Sequence, residues 1–119
     1  MHNFKELNIW KNAIDISVKV YQLIQQFPDM EKYNLSIQMR KSAVSVPSNI
    51  TKGAGRNTDK DFLRFLSIAQ GSTYELQTQL IISNKLKLIT DKDFDSINSS
   101  IEELEKMNWG FQKRLQSNV

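Results

Sequence analysis

The apolar side chains of this sequence recur at the three- and four-residue spacing of an α-helix, over long stretches that little interrupts. The 119 residues include only four glycines and two prolines, the residues that most often end regular segments. The spacing therefore predicts an all-α chain. A chain of this length supplies enough apolar side chains for one core, so we expect residues 1–119 to form a single domain.

The first predicted helix carries two neighbouring apolar stripes. One stripe comprises Leu7, Trp10, Ile14, Ser17, Tyr21 and Ile24, and the other comprises Ile9, Ala13, Ile16, Val20, Leu23 and Phe27. Together they make an apolar face that is wider than one bundle core needs. The surplus predicts a second partner for this helix, and we expect a homo-oligomer.

Proline shapes the next two segments. Pro28 ends the first helix, because the residue before a proline disfavours helical geometry, and residues 29–35 are expected to form a turn or a short helical turn. Ser36 then caps a second helix that runs to about Lys52. Pro47 falls inside it, where it lacks an N–H group to donate, so we predict a kink with support from Ser45 or Ser48. A break of the helix at Pro47 is the alternative.

Capping signals mark the last two helices. Gly53 and Gly55 are expected to stop the second helix in a left-handed conformation, and Thr58 with Asp61 forms a capping box for a third helix ending near Lys85. The buried stripe of that helix comprises Phe62, Phe65, Leu66, Ala69, Leu76 and Leu80.

Two small residues lie in the middle of the third helix. Gly71 and Ser72 are weak helix formers, which favours close approach by a neighbouring helix. Thr90 and Asp93 form the capping box of a fourth helix. Its heptad stripe comprises Phe94, Ile97, Ile101, Leu104, Asn108, Phe111 and Leu115. Four helices with short links predict an antiparallel up-down-up-down four-helix bundle whose second helix is kinked at Pro47.

Charge is unevenly distributed along the chain. Residues 32–64 hold seven lysines and arginines against two aspartates, whereas residues 91–119 hold four bases against six acids. The basic segment, with a glycine turn that offers free N–H groups, favours contact with a phosphate backbone. The predicted nucleic-acid-binding residues are Arg40, Lys41, Lys52, Arg56, Lys60 and Arg64.

Groups for catalysis or metal binding are scarce. There is no cysteine, and the one histidine is His2. The aspartates 91, 93 and 95 lack the glycine and glutamate of a calcium loop and are better explained as helix N-terminal acids. Glu75 is expected to form a structural bond to Arg40 or Asn49, since one carboxylate is not an acid–base pair. We therefore expect no enzymatic activity, cofactor or metal, and the lack of metal-ligand clusters argues against a hydrolase or nuclease.

The remaining features concern location and aromatic residues. Without cysteines, a leader segment or a long apolar run, the sequence favours the cytoplasm and no membrane contact. Aromatic residues at helical spacing are usually packed, so we expect most of those that might stack on bases to anchor the core or an interface. They are Trp10, Tyr21, Tyr33, Tyr74 and Trp109.

Two stretches carry a family resemblance. RKSAVSVPSNITKGAGR (residues 40–56) and FLRFLSIAQGSTYEL (residues 62–76) resemble the bacterial 23S rRNA intervening sequence protein family. The likeness continues through Phe4, Leu7, Trp10 and Ala13 and through the Phe27-Pro28 connection, while the fourth helix matches only by pattern. Lys52 departs from the family, which usually has an acid before this glycine, and the link at residues 84–88 lacks the common glycine.

The resemblance implies an antiparallel four-helix bundle that assembles as a homopentameric ring and has no enzymatic activity. Similar proteins are the accessory variability determinants of diversity-generating retroelements, which bind nucleic acid and a reverse transcriptase. The resulting hypothesis is a non-enzymatic homo-oligomer that binds RNA or DNA through its basic surface without strong sequence specificity. The alternative is a protein-interaction scaffold or accessory module, with a reverse transcriptase or another protein as partner and no direct contact with nucleic acid.

Overall fold

Four α-helices account for most of the chain. The computed structural model describes residues 1–28 and 34–117, and among them there is no strand. A short 3-10 turn at Phe4–Glu6 precedes helices α1 (Asn8–Ile24), α2 (Leu35–Ala54), α3 (Asp59–Lys85) and α4 (Asp91–Gln116). The prediction of an all-α four-helix bundle is confirmed.

The threonine half of each predicted capping box lies where the sequence predicts it. The Thr58 hydroxyl oxygen accepts a hydrogen bond from the Asp61 amide at 3.1 Å, and the Thr90 oxygen accepts one from the Asp93 amide at 3.1 Å. Each bond satisfies one of the amides left free at a helix start. The starts of α3 and α4 therefore follow from local sequence.

The connection between α1 and α2 differs from the prediction. α1 ends at Ile24, before Pro28, because the next amides bond three residues back and tighten the chain into a turn. α2 begins at Leu35, so Ser36 lies buried within its first turn instead of capping it. Residues 29–33, in the turn predicted for residues 29–35, lie outside the described part of the chain.

α2 passes through Pro47 without a break. Pro47 has no N–H to donate to the Ala43 carbonyl, which would be left without its helical partner. The Ser17 hydroxyl of α1 lies 2.9 Å from that carbonyl oxygen and 2.9 Å from the Ala13 carbonyl oxygen, so it shares its one hydrogen between them and partly replaces the missing bond. The expected support from Ser45 or Ser48 is therefore wrong, since the neighbouring helix supplies it. The bend at Pro47 stays a prediction.

Neighbouring helices meet with their ends in opposite order. Trp10 near the start of α1 donates to Thr51 near the end of α2, at 3.0 Å. Asn84 at the end of α3 donates to Asp91 at the start of α4, at 2.9 Å. α1 packs against α2 and α4, and α3 packs against the same two helices. All four helices contribute to one core cluster.

Gly53 acts through close packing. The predicted left-handed stop is wrong, because Gly53 lies inside α2 and Gly55 has a φ of −83°. A Cβ on Gly53 would lie 2.7 Å from Phe62 Cδ1 and 2.8 Å from Phe65 Cβ. Only glycine therefore lets α3 approach α2 this closely.

The small residues in α3 behave differently from one another. The Ser72 and Ser45 hydroxyls bond at 2.8 Å, so α2 does approach α3 at Ser72. Gly71 is exposed, and a Cβ there would have no neighbour within 4 Å. The predicted close approach is thus right for Ser72 and is not made at Gly71 by the described residues of this chain.

Candidate nucleic-acid interface

The structure separates the six predicted bases into two groups. Four lie around the link between α2 and α3, and all four are exposed: Lys52, Arg56, Lys60 and Arg64. The others, half-buried Arg40 and exposed Lys41, lie about 17 Å further back along α2, given a rise of about 1.5 Å per residue. The structure therefore gathers four of the six predicted residues in one cluster and places Arg40 and Lys41 apart from it.

Two arginines are held together by one aromatic ring. The guanidinium carbon of Arg56 lies 4.6 Å from the centroid of the Phe65 ring, and that of Arg64 lies 4.8 Å from it. Phe65 is itself buried, and its Cβ lies close to Gly53, so the side chain that carries the ring has little room to move. Cation–π packing of this kind positions two planar donor groups, each able to bind phosphate oxygens in pairs.

The end of α4 joins this cluster. The Phe111 ring lies 5.4 Å from that of Phe62, and Ser67 donates to the Gln112 side chain at 3.3 Å. These contacts bring the bases at the end of α4 beside those of α3. Six bases therefore form the basic end of the bundle: Lys52, Arg56, Lys60, Arg64, Lys113 and Arg114.

The charge of residues 91–119 is sorted by the fold. The six acids all precede Lys106, and no acid follows it among residues 106–119. Because α4 is 26 residues long, its acidic first half and its basic last turns lie far apart, and only the basic turns reach the basic end. The net charge of residues 91–119 does not reveal that most acids lie in the first half of α4 and that Lys113 and Arg114 lie at its end. The ordering of signs along the helix is the signal that reveals Lys113 and Arg114.

The N-terminal residues also attach at this end. The His2 amide donates to the Ala54 carbonyl at 2.8 Å, and its ring centroid lies 5.0 Å from that of Phe62. His2 Nε2 lies 3.6 Å from Asp59 Oδ1. Among residues 1–28 and 34–117, none of the six bases of the basic end forms an ion pair. The nearby acids, fewer than the bases, are Glu6, Asp59 and Asp61.

Glu75 has other partners than those expected. Its carboxylate accepts a bond from the Ser42 hydroxyl at 3.0 Å and one from the Gln79 amide group at 3.3 Å. Asn49 donates instead to the Ser45 carbonyl, at 2.8 Å. The expected bonds to Arg40 or Asn49 are therefore wrong, because Ser42 on α2 lies opposite Glu75. The role of Glu75 is to tie α2 to α3.

The remaining acids show helix-capping and burial effects. Asp91 and Asp93 lie in the first turn of α4, as expected for N-terminal acids. Burial raises the pKa of Glu105, and the neighbouring charge of Glu102 raises it further.

Within the described ranges, no group of three or more histidines, aspartates or glutamates is placed to hold a metal ion. In the same ranges, no helix has the length and apolar character to cross a membrane.

Several aromatic residues are more exposed than expected. Trp10 is half-buried, whereas Tyr21 is 43%, Tyr74 52% and Trp109 60% exposed. These three residues therefore do not anchor the core of the single chain, a role as interface anchors stays a prediction, and Tyr33 lies outside the described part of the chain. The predicted heptad stripe of α4 already excludes position 109, so the signal for its exposure was present in the sequence.

Known proteins share this four-helix fold. The family model described as 23S rRNA-intervening sequence protein matches residues 5–110. A crystal structure of a protein of unknown function from the S23 ribosomal protein family of Bacteroides thetaiotaomicron superposes with a TM-score of 0.82 at 23% identity. The match covers 88% of this chain and 95% of that one. No curated protein matches the sequence. Because the family model spans most of the chain, the protein belongs to the 23S rRNA-intervening sequence protein family.

Proposed function

We propose that this protein is a non-enzymatic, homo-oligomeric helical bundle that binds RNA or DNA through the basic end, without strong sequence specificity. The observation that carries the proposal is the gathering of six bases from α2, the α2–α3 link, α3 and α4 at one end of the bundle. Phosphate contacts of exposed lysines and arginines supply affinity but carry no base identity, which is why specificity is not proposed.

The state of these bases supports the proposal. None forms an ion pair among the described residues, so binding of a phosphate does not first require breaking one. Arg56 and Arg64 are held on Phe65, which lowers the conformational freedom lost on binding. The family name refers to sequences that interrupt 23S rRNA, which agrees with an association with RNA.

An apolar groove between α1 and α2 supports self-association. Its walls include Ile14, Val44 and Pro47, and its volume is about 470 Å³. The neighbouring Val18 and Tyr21 are 52% and 43% exposed. Ile14 and Tyr21 belong to the first of the two predicted stripes of α1, so the single chain leaves part of that stripe uncovered. Exposed apolar surface of this kind marks an interface.

A second exposed stripe, with an isoleucine at each end, lies on the outside of α3. Ile68, Gly71, Glu75, Thr78 and Ile82 follow heptad spacing, and all five are exposed. A glycine in mid-helix costs about 1 kcal/mol relative to alanine, and no described part of this chain packs on Gly71. The α3 stripe and the α1–α2 groove are different surfaces. Contact between one copy's stripe and the next copy's groove is the head-to-tail arrangement that closes into a ring, as the pentamer implied by the resemblance requires.

The alternative function is a protein-interaction module. The same α1–α2 groove favours it, because an apolar groove between helices also accepts an amphipathic helix of another protein. In this case a reverse transcriptase or another protein would be the partner, and the bases would serve only as a solvated surface.

The test combines mass and salt dependence. Light scattering at micromolar concentration should give the mass of a closed oligomer, with five chains expected. Labelled RNA and DNA of several sequences should bind with similar affinity, and log K should fall linearly with log salt. The basic-end variant Lys52→Gln/Lys60→Gln/Arg64→Gln should bind every nucleic-acid sequence more weakly, by the same factor. The slope of log K against log salt should become shallower by about 0.7–0.9 for each lost phosphate contact.

A matched control removes the same charge from the opposite end. Lys85→Gln/Lys87→Gln/Lys92→Gln changes net charge equally, and α3 separates the two sites by about 40 Å at about 1.5 Å per residue. This variant should bind like the wild type. Equal losses in both variants would show that only net charge matters. If the wild type binds no nucleic acid at low salt, the nucleic-acid function is refuted and the protein-interaction module is favoured. A monomer mass would refute the homo-oligomer.

A further inference from the structure

Trp109 lies on the outer surface of α4. Its side chain is 60% exposed, the largest exposed fraction of any aromatic residue among the described residues. The preceding residue sets this orientation: Asn108 is buried and donates to the Leu66 carbonyl of α3 at 3.1 Å. Successive residues of a helix are turned by about 100°, so fixing Asn108 inward directs Trp109 outward. The exposure is therefore built into the bundle.

Two lysines flank this indole along α4, one on each side. Lys113 follows Trp109 by one turn, and its ammonium nitrogen lies 4.9 Å from the ring centroid. Lys106 precedes Trp109 by three residues, which places it on the same side of the helix. The acids Glu102 and Glu105 lie on the N-terminal side of the ring. The field at Trp109 thus favours phosphates that approach from the C-terminal end of α4.

That approach leads directly from the basic end. Gln112, between Trp109 and the end of α4, contacts Ser67, which lies one turn beyond Arg64 on α3. A strand of nucleic acid following the bases of α3 therefore reaches α4 beside Trp109. An exposed indole among lysines is the arrangement that holds unpaired bases in single-strand binding proteins, where stacking supplies affinity without sequence preference.

We infer that Trp109 is a stacking site for an unpaired nucleobase, with Lys106 and Lys113 contacting the flanking phosphates. This inference rests on the proposed function and names its ligand class, single-stranded nucleic acid. Bases in a duplex are already stacked on one another, so a base must first be unstacked, at a cost in free energy, before it can stack on the indole. The site thus adds preference for single strands to a surface whose phosphate contacts alone would bind both forms.

The test compares single strands with duplexes. A labelled single-stranded RNA and the matching duplex are titrated with wild type, Trp109→Ala and Trp109→Phe at one salt concentration. Trp109→Ala should weaken binding of the single strand by about tenfold or more, with duplex binding unchanged. Trp109→Phe, which keeps a ring, should retain most of the affinity. The matched control is Tyr74→Ala, an aromatic residue 52% exposed with no lysine or arginine within four residues, and it should have no effect.

Fluorescence gives a direct readout. In a Trp10→Phe background, Trp109 is the only indole, and its emission should be quenched on addition of the single strand but not of the duplex. Wild-type binding that Trp109→Ala leaves intact would overturn the stacking site while the proposed function stands. Failure of the wild type to bind either form would overturn both. A changed oligomer mass of Trp109→Ala without nucleic acid would overturn the site by showing that Trp109 contacts another copy.

Discussion

Replacing Gly53 with alanine should destabilise the bundle by up to about 2 kcal/mol, the cost of overpacking less the gain in helix propensity. The new Cβ would lie 2.7 Å from Phe62 Cδ1 and 2.8 Å from Phe65 Cβ, whereas carbon atoms normally pack at about 3.5–4.0 Å. Phe62 is buried, and the Cβ of Phe65 moves only with the backbone of α3, so the overlap forces a shift of one helix. Overpacking of this kind costs about 1–3 kcal/mol, and alanine regains about 1 kcal/mol of helix propensity.

Urea unfolding at one protein concentration measures this cost. Gly110→Ala is the matched control, because Gly110 also lies inside a helix but a Cβ there would have no neighbour within 4 Å. The control should be stabilised by about 0.5–1 kcal/mol, the ordinary gain from removing a mid-helix glycine. If Gly53→Ala were as stable as Gly110→Ala, the packing of α2 against α3 would not be what requires glycine, and the reasoning would fail.

Two further predictions concern charge. Burial raises the folded-state pKa of Glu105, so stability falls as pH rises through that folded value. Glu105→Gln should therefore be more stable than wild type at neutral pH in thermal unfolding, with the advantage lost below the ordinary value of 4.5, and an advantage independent of pH would contradict the assignment. Lys60→Gln should raise the free energy of unfolding by about 0.3–1 kcal/mol, because Lys60 lies at the positive start of α3. The same variant should bind nucleic acid more weakly. A lower free energy of unfolding in urea would contradict the prediction.

The helix starts that the sequence predicted are those determined by local bonds. Thr58 and Thr90 each satisfy an amide three residues away, so a short window of sequence contains the whole interaction. The heptad stripe of α4 is local in the same sense, because the helix period alone decides which residues share a face. Its members Ile97, Ile101 and Leu104 are buried as predicted.

The errors concern contacts between distant parts of the chain. Pro47 leaves the Ala43 carbonyl free, but the residue that bonds to it, Ser17, is 26 residues away from that carbonyl and on another helix. Gly53 reads locally as a helix stop, yet its role depends on two phenylalanines of α3. Neither contact is visible until the helices are placed side by side.

The candidate site was half predicted for the same reason. Lys52, Arg56, Lys60 and Arg64 are close in sequence, so a local excess of charge finds them. Lys113 and Arg114 belong to a segment of net negative charge and join the site only because α4 ends where α3 begins. Arg40 and Lys41 share the basic segment but lie too far along α2 to join the cluster. The helical rise, not the separation in sequence alone, decides which bases act together.

The basic end also separates charges that serve folding from one that opposes it. Three of its bases lie in the last turns of their helices, where the negative end of the helix dipole stabilises them: Lys52, Lys113 and Arg114. Lys60 is different, because it lies in the first turn of α3 between Asp59 and Asp61, where the helix favours acids. Its ammonium group is exposed and has no ion-pair partner in the described ranges. A base whose position weakens its own helix is better explained by contact with an anionic ligand than by folding, so Lys60 is the residue for which stability and binding should change in opposite directions.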